Sequence, residues 1–204
     1  MTVKTVLLST AVLLFPSLSL GYGATGHARQ QLRLIAIQLI EPQLTPTAMQ
    51  LNLPALPVTV VEGDQPRLQA QLDVLVDEGV LSRETTVSME RILTQNGWTT
   101  RQSAAHHYDR PLMIRQSPVR FGTAHLLHTG EIWVHNSAEN ATEAEVHFQW
   151  FANDLAEWVW APAFDQDARL ERLKASADVP LSGVATLVWR DQRWQLSHLE
   201  TYSN

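Results

Sequence analysis

The chain has 204 residues, 45% of them hydrophobic, with 21 acidic and 15 basic side chains for a net charge of −6. That composition is ordinary for a globular protein of one domain or two small ones and excludes disorder as the default. Only Lys4 and Lys174 are lysines and no basic block occurs, which argues against nucleic-acid binding and against a polybasic hold on an anionic membrane. The absence of cysteine removes disulfides, thiolate metal sites, cysteine nucleophiles and a lipid-modified cysteine.

Met1 to Gly26 reads as a secretory signal peptide. Lys4 is its one charge, Val6 to Phe15 is apolar, and Pro16 with Ser17 and Ser19 leads to small residues. Cuts after Gly21, Gly23 or Gly26 all fit. The apolar run is short for a membrane span and is broken by Pro16, so export with cleavage is expected, with no stable membrane anchor afterwards. Loss of Lys4 with the leader leaves 14 basic and 21 acidic residues, a net −7.

From His27 to Ile40, Leu32, Ile35, Ala36 and Leu39 recur at helical spacing, and Pro42 and Pro46 are expected to end the helix. Val58 to Val61 suits a short strand. A second helix follows, with Asp64 as N-cap, Pro66 in its first turn, an apolar stripe of Leu68, Leu72, Leu75 and Val76, and Gly79 at the left-handed C-terminal position. Thr86 to Leu93 and Trp98 to Arg101 flank Asn96-Gly97, a strong two-residue turn, and predict a hairpin. Helix, helix, hairpin is the outline of a winged helix; a small helical cap on a sheet explains the same pattern.

Residues 102–111 read as a linker, with an additional strand possible at Leu112-Met-Ile114. Val119 to His135 and Glu143 to Phe151 then alternate with a period of two around the polar break 136–142. This predicts an antiparallel pair with Ala144, Val146, Phe148 and Trp150 on one face and Glu143, Glu145, His147, Gln149 and Phe151 on the other. An interruption is expected near Thr129-Gly130. Asp154 can cap a short turn through Trp158 and Trp160. A helix is expected at Asp165–Ala175, with Ala168, Leu170 and Leu173 as its apolar positions. Gly183–Arg190 and Trp194–Leu199 form a second hairpin. The fold class is therefore α+β. A helical unit with a hairpin is expected over 27–101, followed by an antiparallel sheet with one covering helix over 112–204.

The series Leu68-x3-Leu72-x2-Leu75-Val76-x2-Gly79-Val80-Leu81, Leu93-Thr94-x2-Gly97, Phe121-Gly122-x-Ala124, Ile132, Val146-x-Phe148-x-Trp150, Trp158, Trp160, Val184-Ala-Thr-Leu-Val188 and Trp194-x-Leu196 resembles a loose group of small exported bacterial proteins. Many of that group are lipoproteins, and none has an established function. The resemblance spans roughly residues 65–199 and implies export and this architecture, but no catalytic residues. The chain departs from the group in having no cysteine to carry lipid.

Six of the eight histidines fall between residues 106 and 147. Imidazoles bind zinc, copper and nickel, which makes His125, His135 and His147 candidate metal ligands, although no His-Glu-x2-His spacing is present. On a regular strand His125 and His128 would face opposite ways, and His147 could approach His125 or His135 depending on register. Ordinary strand and loop histidines explain the same residues. Ser117, Ser137 and Ser182 lie in no Gly-x-Ser-x-Gly elbow, and there is no phosphate loop or dinucleotide fingerprint. The carboxylate pairs Asp77-Glu78, Glu143 with Glu145, and Asp165 with Asp167 suit a helix end, a solvent-facing strand and a helix start. All seven tryptophans follow residue 97. They serve either to fill a core or, at Trp150, Trp158, Trp160, Trp189 and Trp194, to line a binding face, which an exposed Trp158/Trp160 pair would favour. Asn140-Ala-Thr142 matches a glycosylation acceptor, which here means an exposed loop.

These features together predict an exported, periplasmic cell-envelope binding or accessory protein without catalytic activity or cofactor. A protein partner is expected rather than a small ligand. A periplasmic histidine-based metal-binding protein or hydrolase is the alternative.

Overall fold

A computed structural model describes residues 26–95, 97–111, 119–136 and 142–202. The leader, the strand expected at Leu112–Ile114, Ser117, Ser137 and Asn140 lie outside the described residues. The elements in order are α1 (Gly26–Ala48), β1 (Val58–Val61), α2 (Pro66–Asp77), β2 (Ser82–Thr94), β3 (Gly97–Asp109), β4 (Thr123–Asn136) and β5 (Thr142–Asn153). Two 3₁₀ turns (Glu157–Trp160 and Pro162–Phe164), α3 (Ala168–Ala175), β6 (Leu181–Arg190) and β7 (Arg193–Tyr202) follow. The strands form a three-stranded sheet, β1-β3-β2, and a four-stranded meander, β4-β5-β6-β7, with every neighbouring pair antiparallel. The α+β class is as the sequence predicts. Among the described residues no helix is long and apolar enough to cross a membrane.

The first helix corrects the expectation that Pro42 and Pro46 end it: α1 runs through both to Ala48. An interior proline removes a ladder bond and costs about 3 kcal/mol. Tertiary packing outweighs that cost here. Leu32, Ala36, Ile40, Leu44 and Ala48 form a stripe at four-residue spacing, and all five are buried. Neither proline lies on the stripe. Each fully buried Leu or Ile contributes roughly 1.5–3 kcal/mol. The last turns are also tied down by polar contacts. Thr45 Oγ1 accepts from the Ala124 N–H (2.9 Å) and donates to the Ala124 carbonyl (3.2 Å). Arg169, from α3, donates to the carbonyls of Ala48 (2.6 Å) and Gln50 (3.0 Å) at the helix C-terminus, with its guanidinium over the Phe121 ring. A cation there meets the negative end of the helix dipole. Burial nonetheless lowers the Arg169 pKa from its ordinary value.

The two helices serve different sheets. The main contacts of α1 are with β4 and β7, whereas α2 packs on β2 and on the turn Pro162–Phe164. Asp64 is not the N-cap of α2. Gln65 occupies that place and makes no side-chain cap bond, while Pro66 opens the helix. Gly79 has φ +71 just beyond α2, as its position predicts. In α3 the cap is Asp167, whose carboxylate accepts from the Arg169 and Leu170 N–H groups. At the β6–β7 turn Asp191 (φ 51) and Gln192 (φ 60) both take the left-handed conformation, which matches the twist of a two-residue hairpin.

The segment read as a linker is strand as far as Asp109. Once Thr94 pairs with Gly97, every residue of β2 finds a partner on β3, out to Ser82 opposite Asp109. The polar composition that suggested a linker belongs instead to a mostly half-buried strand with Tyr108 in the core.

Candidate functional site

The side chains of β2 and β3 fall on two faces, because residues opposite one another across a ladder share a face. One face carries Arg83, Thr85, Val87, Met89, Arg91 and Leu93 opposite Tyr108, His106, Ala104, Gln102, Thr100 and Trp98. The other carries Glu84, Thr86, Ser88, Glu90 and Ile92 opposite His107, Ala105, Ser103, Arg101 and Thr99.

At its base the first face is core. Tyr108 is fully buried, and its hydroxyl donates to Asp73 on α2 (2.7 Å). Arg83 reaches the same carboxylate oxygen (2.6 Å). The carboxylate beside it raises the Arg83 pKa. Burial, with the hydrogen bond to Asp73, pushes the Tyr108 phenol up to about 12. A folded-state value above the free value near 10 favours the native state at neutral pH. That stabilisation is complete below about pH 10, the unfolded pKa, and is lost as pH rises toward 12. Tyr108→Phe is expected to remove the corresponding loss of stability between pH 10 and 12, measured as urea midpoints across that window. At neutral pH the variant should cost about 1–2 kcal/mol for the lost hydrogen bond.

Further out, no described residue covers the same face. A 12-residue helix such as α2 is roughly 18 Å long, whereas the 13 residues of β2 span roughly 43 Å. The ribbon therefore outruns its helix, and β1 pairs with β3 only from Ala105 to Tyr108. The distal arm leaves Val87 (52%), Met89 (72%), Leu93 (68%) and Trp98 (65%) exposed on one face. Arg91 lies over the Trp98 ring at 6.0 Å. The exposed apolar area is on the order of 500 Å², the size of the largest patches that monomers carry, and such patches are commonly functional.

The second surface is the face of the four-stranded sheet opposite the core. In β5, Ala144, Val146, Phe148, Trp150 and Ala152 are buried and the intervening residues are not, as the alternation predicts. Two bulges in β4 reset its register, one between Leu126 and His128 and one between Thr129 and Ile132. The interruption expected near Thr129-Gly130 is the second of these. The first places His125 (opposite Phe151) and His128 (opposite Gln149) on the same open face, and the second brings Trp133 and His135 onto it.

The register separates the metal-ligand candidates. His125 lies opposite Phe151 and His135 opposite Glu143, each four residues along β5 from His147. Four residues are roughly 13 Å of strand. His147 instead bonds Glu145 (2.8 Å) and meets the Trp133 ring edge-on at 4.6 Å. His125 lies beside Glu41 of α1 (3.8 Å) and Phe151. Among the described residues no three His, Asp or Glu side chains come together to hold a metal ion. On β7, His198 and Tyr202 both bond Glu200, and these bonds lower the Glu200 pKa, the histidine contributing most.

The Trp158/Trp160 pair divides. Trp158 is buried against Phe121 and Phe164 and fills core, whereas Trp160 is exposed beneath the Lys174 ammonium at 5.2 Å. The largest tryptophan exposure is at Trp98, which the sequence reading did not select. The available signal was the alternation Val87, Met89, Leu93, which looks like a core face until the short reach of α2 is known. Comparison with protein families, with curated proteins and with solved structures finds no match to this chain.

Proposed function

We propose that the chain is an exported cell-envelope binding or accessory protein, without catalytic activity, that docks a protein partner through the β2–β3 arm. One observation carries the reading. The apolar face of the arm continues past the helix that covers its base, and among the described residues nothing covers Val87, Met89, Leu93 and Trp98 on this two-stranded ribbon. Such a ribbon is marginally stable alone, and a partner that covers the face stabilises both. Tryptophan with an adjacent arginine is a common composition for interface hot spots. The amino-terminal leader supports export, and the absence of cysteine supports a mature chain free of attached lipid.

The test is in-cell photo-cross-linking with a photo-reactive amino acid in place of Met89, and separately in place of Trp160, combined with fractionation and the mass of the mature chain. The expected result is a chain shortened at its leader in the periplasmic fraction, and one discrete protein adduct from position 89 but not from position 160. Leu93→Glu with Trp98→Glu should abolish the adduct and change stability by less than about 0.5 kcal/mol, since both side chains are exposed. A full-length chain retained in the cytoplasm, or no adduct from any arm position, would overturn the reading.

A further inference from the structure

We infer that the partner adds a strand to the outer edge of β2, as an extended, alternately apolar segment carrying an acidic side chain opposite Arg91. The inference rests on the reading of the arm as a docking element and specifies how the arm docks. Among the described residues no strand pairs with the outer edge of β2, which is 13 residues long. The phase of the ladder follows from one bond outside the hairpin. The Ala104 carbonyl accepts from the Glu62 N–H at 2.9 Å, so the backbone of Ala104 points away from β2. In an antiparallel pair the orientation alternates, and opposite residues share it. Val87, opposite Ala104, therefore turns its own N–H and C=O outward, and so do Met89, Arg91 and Leu93.

These residues are also the ones whose side chains form the exposed apolar face. One added strand thus satisfies the open backbone groups of β2 and extends the apolar face over Val87, Met89 and Leu93. This is strand augmentation, in which main-chain bonds supply affinity and alternate side chains supply specificity. Charge selects the occupant. On the distal part of this face Arg91 is the sole charged side chain, while Glu90 and Arg101 oppose each other on the other face. A carboxylate from a partner strand complements Arg91, whereas a copy of β2 paired about Arg91 would set the two arginines against each other. Leu93 and Trp98 flank the turn, and Met89 and Val87 carry the same face roughly 20 Å back along β2, which suits a strand laid beside the arm.

The probe is the capped nonapeptide Thr-Leu-Thr-Glu-Thr-Val-Thr-Val-Thr. Antiparallel to β2, it sets Leu, Glu, Val and Val opposite Leu93, Arg91, Met89 and Val87. It is titrated into the mature chain and read by amide hydrogen exchange. The expected result is saturable protection of the Val87, Met89, Arg91 and Leu93 amides, while those of Ser88, Glu90 and Ile92 are already protected by β3. Met89→Pro removes an outward N–H and leaves the β2–β3 ladder intact, so it should abolish binding, whereas Met89→Ala should only weaken it. Arg91→Glu should weaken binding about tenfold, and replacing Glu by Lys in the probe should restore it.

No saturable protection up to about 1 mM peptide would overturn the inference. So would concentration-dependent protection of the same amides without peptide, which would make the occupant a second copy, or protection by phosphatidylglycerol vesicles alone. In the cross-linking experiment, a Met89→Pro chain with its photo-reactive group at position 98 separates the two claims. An adduct that persists there leaves the docking arm standing and removes strand addition.

Discussion

Gly183→Val is expected to leave little folded protein at 37 °C, with a loss of about 3 kcal/mol or more in urea unfolding followed by tryptophan fluorescence. Gly183 is the third residue of β6, opposite Phe148 on β5 and Thr201 on β7. A Cβ there would overlap the Phe148 ring and come within 2.8 Å of the Glu200 carbonyl oxygen. The ring is confined, since Phe148 is buried, and the carbonyl belongs to a strand backbone that cannot withdraw without breaking its ladder. The glycine is therefore required for space: its missing side chain is the site the phenylalanine occupies. Two controls bear on this. Gly130→Ala, where the nearest atom to a new Cβ is the His147 carbonyl at 3.6 Å, should have little effect. Phe148→Leu in the Gly183→Ala background should recover part of the loss. A Gly183→Val chain with an unchanged midpoint would show that the strands can separate at this point.

Trp150→Ala is expected to cost about 3–5 kcal/mol, a large part of the total stability of a domain this size. Trp150 is fully buried on β5, opposite Leu126 and Leu181, and its indole N–H donates to the Ser182 carbonyl at 3.2 Å. Truncation removes the largest side chain of the core and leaves that carbonyl without its donor. Trp150→Phe keeps most of the packing and loses the bond, so its midpoint should fall between wild type and Trp150→Ala. Trp98→Ala should barely move the midpoint, because Trp98 is exposed at the far end of the arm. An equal loss from Trp98 and Trp150 would mean that the arm is covered by its own chain.

The β5 pattern could be read from sequence because both sides of the strand are settled locally. Ala144, Val146, Phe148 and Trp150 alternate with polar residues, and the sheet buries one set. The path of α1 could not be read so simply. Pro42 and Pro46 are strong local stop signals, and what overrides them is burial of Leu44 and Ala48 with bonds to Ala124 and Arg169, residues that lie 76 or more positions further along the chain. The histidine face depended on a single inserted residue. Without the bulge at Leu127, His125 and His128 would face opposite ways. The β2–β3 arm was half legible. Its turn and strands were expected, but the exposure of Val87, Met89 and Leu93 follows from a length mismatch between a helix and a strand that no local pattern encodes. Among the tryptophans, core filling holds for Trp150 and Trp158, whereas Trp98, Trp133 and Trp160 are exposed.

The seat of α1 also fixes the order of assembly. Among the described residues the helix precedes every strand, yet its main sheet partners are β4 and β7, and β7 is the last strand described. Closing that contact encloses roughly 150 residues, an entropic cost met before any reward is collected, and topologies of this kind fold slowly. During synthesis the stripe Leu32–Ala48 emerges first and waits for its sheet. The meander can zip up hairpin by hairpin, but the helix docks fully only after residue 193 has arrived. The helix can thus seat on β4 once that strand has formed, but its full seat is completed only when β7 closes over it.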